Sequence, residues 1–454
     1  MTNSATSAVA EYAASTTAVQ LPPPVRVRTQ QIILDELASA VFGRVCAAGA
    51  LAASYARQMT GPPEASILGT SESASAPYAA FANGMAGHAD EIDGTHIAGG
   101  HPGATLVHAA LAVAERQGAS GAELVNAVAL GYDIAVRLVL ACGGIYGIRS
   151  RYHLHSDFLC AVGAAVACGR LLRLDEGQLR HAMALATFQA NGLCALFRER
   201  DHISKAMCNG QYAFAGVSAS LMAFSGMEGS NDILGEEHGL LEAWGVDSAW
   251  ETVTKDLGSD FAVMGANFKF MRAGYPIHAA VEAALGLLAG GPIDVSSISS
   301  VNVGMPEEAM RVVDNRAMHN ICLQDVLSAA LLLGGLPLQD SCFPAILEDP
   351  RFRDLRMRIE LNVDLELEAS QPLGRGASVT ITTNDGSTFS ATVQSPRGNA
   401  LRGEVDWADL SEKWRRALPS YDVDRMVGVA QDLQDLGRLS ELARAFQPRS
   451  HSRL

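Results

Sequence analysis

Apolar residues recur at helical spacing along most of this chain, and the texture changes once. From about residue 28 to 265 one such stretch follows another with glycine-containing breaks: 31–43, 76–87, 103–116, 121–142, 158–172, 176–190 and 211–225. In the third, Leu106, Ala109, Ala110 and Val113 mark the buried face. No strand-like alternation interrupts this span, which predicts an all-α domain. Near Gly265 the pattern shifts. Residues 297–304 and 357–367 alternate like strands, and 377–393 reads as a hairpin turning at Asn384-Asp385-Gly386. A helix is predicted over 323–333. After Pro396-Arg397-Gly398 helical periodicity returns at 407–417 and 423–446. The expected fold is mainly α with an α+β second domain: a discontinuous helical domain (25–266 and 402–454) and a smaller α+β lid (267–401). Residues 1–24, ending in three prolines, read as a loose arm.

Composition narrows the class. With 48% hydrophobic and 18% charged residues the chain is globular, and aromatics at 6% favour closely packed small-residue helices. A net charge of −15 argues against nucleic-acid or anionic-membrane partners, because no basic patch is present to neutralise phosphates. Eight scattered cysteines without a Cys-x-x-Cys pair fit buried thiols in a reducing cytoplasm. No secretory leader and no uninterrupted apolar span of membrane length is visible.

The chemistry concentrates in His88-Ala-Asp-Glu-Ile-Asp-Gly-Thr-His96, followed by His101-Pro-Gly. Polar groups at that density seldom serve packing, since each one buried needs a partner. Pro102 suits a first helical turn, leaving His101 near the N-cap, beside free N–H groups that can receive a carboxylate. Lys205 stands just ahead of a helix expected to begin near Asn209, where it can serve as acid, base or anion clamp; a surface lysine is the alternative. Lys269, Arg272 and His278 fall at the predicted domain junction, a favoured place for ligands, although a basic linker would look the same. His153 and His155 form a His-x-His pair, and spacing alone does not say which of them faces a substrate. No third ligand at a recognised spacing makes that pair a metal site. Nucleotide-loop, serine-elbow and His-Glu-x-x-His signatures are absent, which points to acid–base chemistry without a cofactor.

These residues carry a resemblance. The pattern His88…Asp90-Glu91…Asp93-Gly94-Thr95-His96…His101-Pro102-Gly103 resembles the signature of the MmgE/PrpD family, which includes 2-methylcitrate dehydratase, cis-aconitate decarboxylase and iminodisuccinate epimerase. Similarity continues through Gly131-Tyr132-Asp133…Arg137, Gln189-Ala190-Asn191-Gly192, Lys269…His278 and Ser395-Pro396-Arg397-Gly398, spanning nearly the whole chain in order. It departs at Glu91 and Gly94, where the family carries aspartates, and at Cys208, Gly274 and Asp325, where it carries histidine, histidine in the decarboxylases, and tyrosine.

The resemblance implies a homodimer with a cofactor-free cleft between a helical body and a lid. His101, Lys205, Lys269 and His155 (or His153) would be catalytic; Glu91, Asp93, Thr95, His96, Arg272 and His278 would bind substrate. The expected activity is a dehydratase-like lyase reaction on a small di- or tricarboxylate. Decarboxylation, epimerisation and an inactive anion-binding scaffold remain as alternatives.

Overall fold

The computed structural model describes residues 4–447 apart from 236, 292, 340–342 and 371–373. Its largest core is helical, drawing buried residues from 5–268, from Leu338 and from 405–446. A second core occupies 273–381. The protein is therefore mainly α, with a smaller α+β unit.

Small residues let the helices of the body approach closely. A Cβ built on Gly163 would lie 2.4 Å from the Gly131 carbonyl, so the helices Gly121–Ala141 and Cys160–Leu171 cross where no side chain fits. The first of these is started by a capping box between Ser120 and Glu123. It is long and apolar enough to cross a membrane, but 94% of its apolar window is buried inside the fold. Gly210 plays the same part in the helix Ser204–Phe224: its Cβ would sit 2.5 Å from the Phe81 carbonyl of the helix Ala76–Gly87. That contact brings the start of one helix, with Lys205, beside the end of the other, with His88.

The smaller unit holds a four-stranded sheet in the order Ile359–Val363, Ile298–Met305, Ala377–Thr383, Thr388–Val393. The first pair is parallel and the others antiparallel, with Val301 opposite Ile359 on one side and Ile381 on the other. Alternate residues of Ala377–Thr383 are buried, and the helix His278–Gly290 packs against this strand and the next. A two-residue antiparallel pairing of Thr95–His96 with Ala266–Asn267 stitches the polar loop of the body to the segment entering the smaller unit.

The C-terminal helices return to the body. Gln30 donates to the Ala430 carbonyl (3.0 Å) and Gln31 to Val405 (2.9 Å). Buried Lys413 donates to Asp35 (2.6 Å) and to the Ile92 carbonyl (3.0 Å), and the Trp414 indole donates to Asp35 (2.9 Å).

Three local expectations need correcting. The N-terminus is no loose arm: Ser4 caps a helix over Ala5–Ser15 that buries Val9, Ala10 and Ala13, and Pro23 begins the next helix. Alanine-rich composition hid the apolar face. Lys205 lies inside the helix Ser204–Phe224, not ahead of it. The stretch 423–446 is broken into Val423–Gln431, a 3-10 turn and Ser440–Ala445.

Because Lys413 and Asp35 are both buried, removing one strands the other's charge. Lys413→Ala is expected to lower unfolding free energy by about 3–5 kcal/mol in urea denaturation. A change below about 1 kcal/mol would show that the return helices are held by apolar packing alone.

Candidate active site

The helix Ala76–Gly87 ends at His88, and the chain then turns through Glu91, which adopts a left-handed backbone (φ 55°) rare for a side chain of this type. That turn drives the Glu91 carboxylate inward, where it is 1% exposed. Lys205 donates to its Oε1, and Lys269 donates to Oε2 at 2.8 Å and to the Glu91 carbonyl at 3.2 Å. Lys205 also donates to His88 Nε2, while His88 Nδ1 donates to Asp93 at 2.8 Å. Asp93 Oδ1 lies 3.7 Å from Lys269 and closes the circuit. The result is a buried ring: Glu91, Lys205, His88, Asp93, Lys269. Burial by itself would raise the Glu91 pKa, but Lys205, Lys269, His88 and His202 outweigh it and hold the group well below the carboxylate range. Burial likewise opposes the charge on Lys269, yet Glu91 and Asp93 raise its pKa above the ordinary lysine value.

One face of the ring opens on a cavity between the helical body and the smaller unit. Glu91, Thr95, His101, His155 and Lys205 line it from the body, and Gly274, Tyr275 and Arg375 from the other side. His101 is the N-cap of the helix Pro102–Gln117. Its ring Nδ1 and backbone N–H both donate to Asp157 Oδ2 (3.1 Å each), leaving Nε2 3.8 Å from Glu91 Oε2. Burial, His88 and Lys205 push the His101 pKa down to about 4 against the pull of Asp157. His101 is thus a neutral imidazole whose Nδ1–H is held by a carboxylate and whose Nε2 lone pair is available as a base.

The other candidates divide. His155 is buried at the cavity wall, 3.6 Å from Asp157, whereas His153 caps the helix Gly144–Tyr152 and is exposed. Their opposite faces follow from the extended backbone at His155 and the left-handed one at His153. Lys269 stays behind Glu91 and does not line the cavity. His96 turns away, taking the Ala98 N–H and bonding the Ala262 carbonyl (2.9 Å). His278 bonds the Ala273 carbonyl (3.1 Å) and packs on Tyr275. Arg272 pairs with Asp90 on the wall of a neighbouring cavity. Burial raises the Asp90 pKa to about 6 despite that partner.

Asp157, His202, Arg149, Tyr146 and Arg375 were not among the site candidates, and His88, although inside the polar cluster, carried no assigned role. Asp157 was visible two residues after His155; the arginines had no local signal. Among the described residues, two sets of groups come within ligating distance of one another: His88 with Glu91 and His101, and His101 with His155 and Asp157. The two lysines on Glu91 oppose a cation in the first. Where Gly94 lacks a carboxylate, Glu36 reaches in from the helix Pro23–Gly43 and accepts from the Gly94 N–H at 3.1 Å. Asp325 is tied to His319 (2.7 Å) and to Arg356, outside the cavity.

Fold and site together define a two-domain, mainly helical protein whose interdomain cavity is lined by buried acid–base groups and cations. Family models of the MmgE/PrpD N-terminal domain and the MmgE/PrpD C-terminal domain match residues 7–252 and 272–433. The chain belongs to the MmgE/PrpD family. It is 25% identical over 438 residues to a cis-aconitate decarboxylase of Homo sapiens, covering 91% of this chain and 89% of the relative. A cis-aconitate decarboxylase of Aspergillus terreus is 23% identical over 468 residues, covering 96% and 94%.

Burial, as the largest cause, holds His96 and His101 at about 4 and His108, His155 and His278 at about 3. An unfolded chain protonates these rings near 6.5. Their contribution to stability is therefore full above about pH 6.5 and lost progressively as pH falls toward 4. Thermal unfolding is expected several degrees lower at pH 5 than at pH 7.5; equal midpoints would contradict neutral burial.

Proposed function

We propose that the protein is a lyase acting on a small tricarboxylate by proton transfer at a carbon next to a carboxylate, with elimination or addition of water as its reaction. The observation that carries this reading is the neutral His101 held by Asp157, with its free nitrogen beside the Glu91–Lys205 pair. In the elimination direction His101 Nε2 takes the proton from carbon and the carbon's electron pair forms the double bond. The hydroxyl leaves with a proton from Lys205, as water. The proton on His101 then returns to Lys205 by way of Glu91, so the protein ends unchanged. Cations already in place offset the charge that builds up on the substrate carboxylate without reorganisation.

Decarboxylation of cis-aconitate is the second reading, supported by the names of the relatives. Against it, Gly274 on the cavity wall offers no proton donor, although there is room for one: a Cβ there would find its nearest neighbour at 3.7 Å.

Incubation with citrate, 2-methylcitrate and cis-aconitate in deuterated buffer, followed by NMR, tests both. Water addition or loss with deuterium entering at carbon supports the lead reading, and carbon dioxide release supports the second. Binding without exchange or turnover would sink both and favour an inactive scaffold. Under the lead reading, His101→Ala, Lys205→Ala and Asp157→Asn each lower kcat by about 10²–10⁴-fold, measured below the thermal midpoint of each variant, because Lys205→Ala also takes a partner from buried Glu91. Full turnover in any of them removes that residue from the mechanism.

A further inference from the structure

The same cavity is lined by two arginines that the chemistry above does not use. Arg149 projects from the helix Gly144–Tyr152 of the helical body, and Arg375 from the loop leading into Ala377–Thr383 of the smaller unit. Tyr146 stands between them, its ring centre 5.9 Å from one guanidinium and 5.2 Å from the other. Arg149 also lies over the Phe197 ring at 4.7 Å, with the Cys194 thiol against it.

Buried arginines with purely structural work look different in this protein. Arg137 is bonded to Asp133 and to the carbonyls of Lys255 and Asp260, and Arg44 to three carbonyls and Asn83. By contrast, Arg149 Nε and Nη1 have no hydrogen-bond partner among the described residues. Burial acts on its charge and lowers its pKa, and the nearby Tyr146, Cys194 and Glu308 offset that cost only in part. A guanidinium on an aromatic ring at a cavity wall, with buried donors unpaired, can take a carboxylate in its fork. Arg375, 5% exposed, presents a second guanidinium to the same space from the opposite domain.

We propose that Arg149 and Arg375 form a clamp for the substrate carboxylate farthest from Glu91, one arm from each domain. A ligand must then carry carboxylates at both ends to bridge the Glu91–Lys205 ring and the clamp. Such a ligand also draws the smaller unit onto the helical body. This rests on the reading of the cavity as a polycarboxylate site but does not depend on which reaction occurs there.

The test compares calorimetric binding of tricarballylate, a saturated tricarboxylate, with methylsuccinate, which lacks one terminal carboxylate. A charge-assisted contact predicts that wild type binds the tricarboxylate about 10–100-fold more tightly. In Arg149→Gln and in Arg375→Gln that ratio is expected to shrink to within about 3-fold, since the third carboxylate has lost one arm of the clamp and the two arms act together. Arg149→Lys, which keeps the charge but not the fork, should fall between, and replaces the glutamine variant if that one does not fold. A ratio that survives in either variant overturns the clamp. Wild type that shows the ratio yet turns over no acid sinks the lyase reading and leaves the clamp standing; no binding at all removes both.

Discussion

The site depends on one buried carboxylate. Glu91 is shared by Lys205 and Lys269, which arrive from segments far apart in the chain, and His88 and Asp93 complete the ring. Taking such charges out of water costs several kcal/mol per ion unless each finds an opposite partner. The ring meets that requirement by placing Glu91 between the two lysines and Asp93 between His88 and Lys269. Its members are thereby locked in place, and the left-handed backbone at Glu91 is strain that this over-determined setting can hold. Without Glu91 the two buried ammonium groups would lose the carboxylate they share, leaving Lys269 to Asp93 and Lys205 to His88.

Around that ring the protein sorts its histidines by what touches them. His96 and His278 bond backbone carbonyls and serve packing. His101, against Asp157, keeps one nitrogen for the cavity. Burial lowers all three, so the difference in role comes from geometry and not from pKa. The same distinction separates the lysines. Lys205 reaches the cavity, whereas Lys269 sits behind Glu91 and fixes it.

Two-domain architecture makes the cavity possible. Small-residue contacts such as Gly210 against the Phe81 carbonyl bring helix ends together and set the ring's dimensions. The pairing of Thr95–His96 with Ala266–Asn267 ties the polar loop to the segment entering the second unit. Tyr146, Tyr275 and Arg375 then close the space from both sides.

Much of this was legible from residue order, because periodicity is a local property. The helices 76–87 and 407–417, the hairpin at Asn384-Asp385-Gly386 and the N-cap position of His101 all follow from neighbours within a few residues. Clustering of His88, Glu91, Asp93 and His101 marked the site for the same reason. The buried N-terminal helix escaped because alanine carries little apolar contrast, and the choice between His153 and His155 escaped because backbone conformation there decides which way each ring points. Tertiary structure alone decided that Lys205 and Lys269 meet on one carboxylate, that Arg272 faces a different cavity, and that Arg149 and Arg375 share a wall. Those outcomes depend on how helices and domains approach in space, and electrostatic pairing across more than a hundred residues leaves no trace in local sequence.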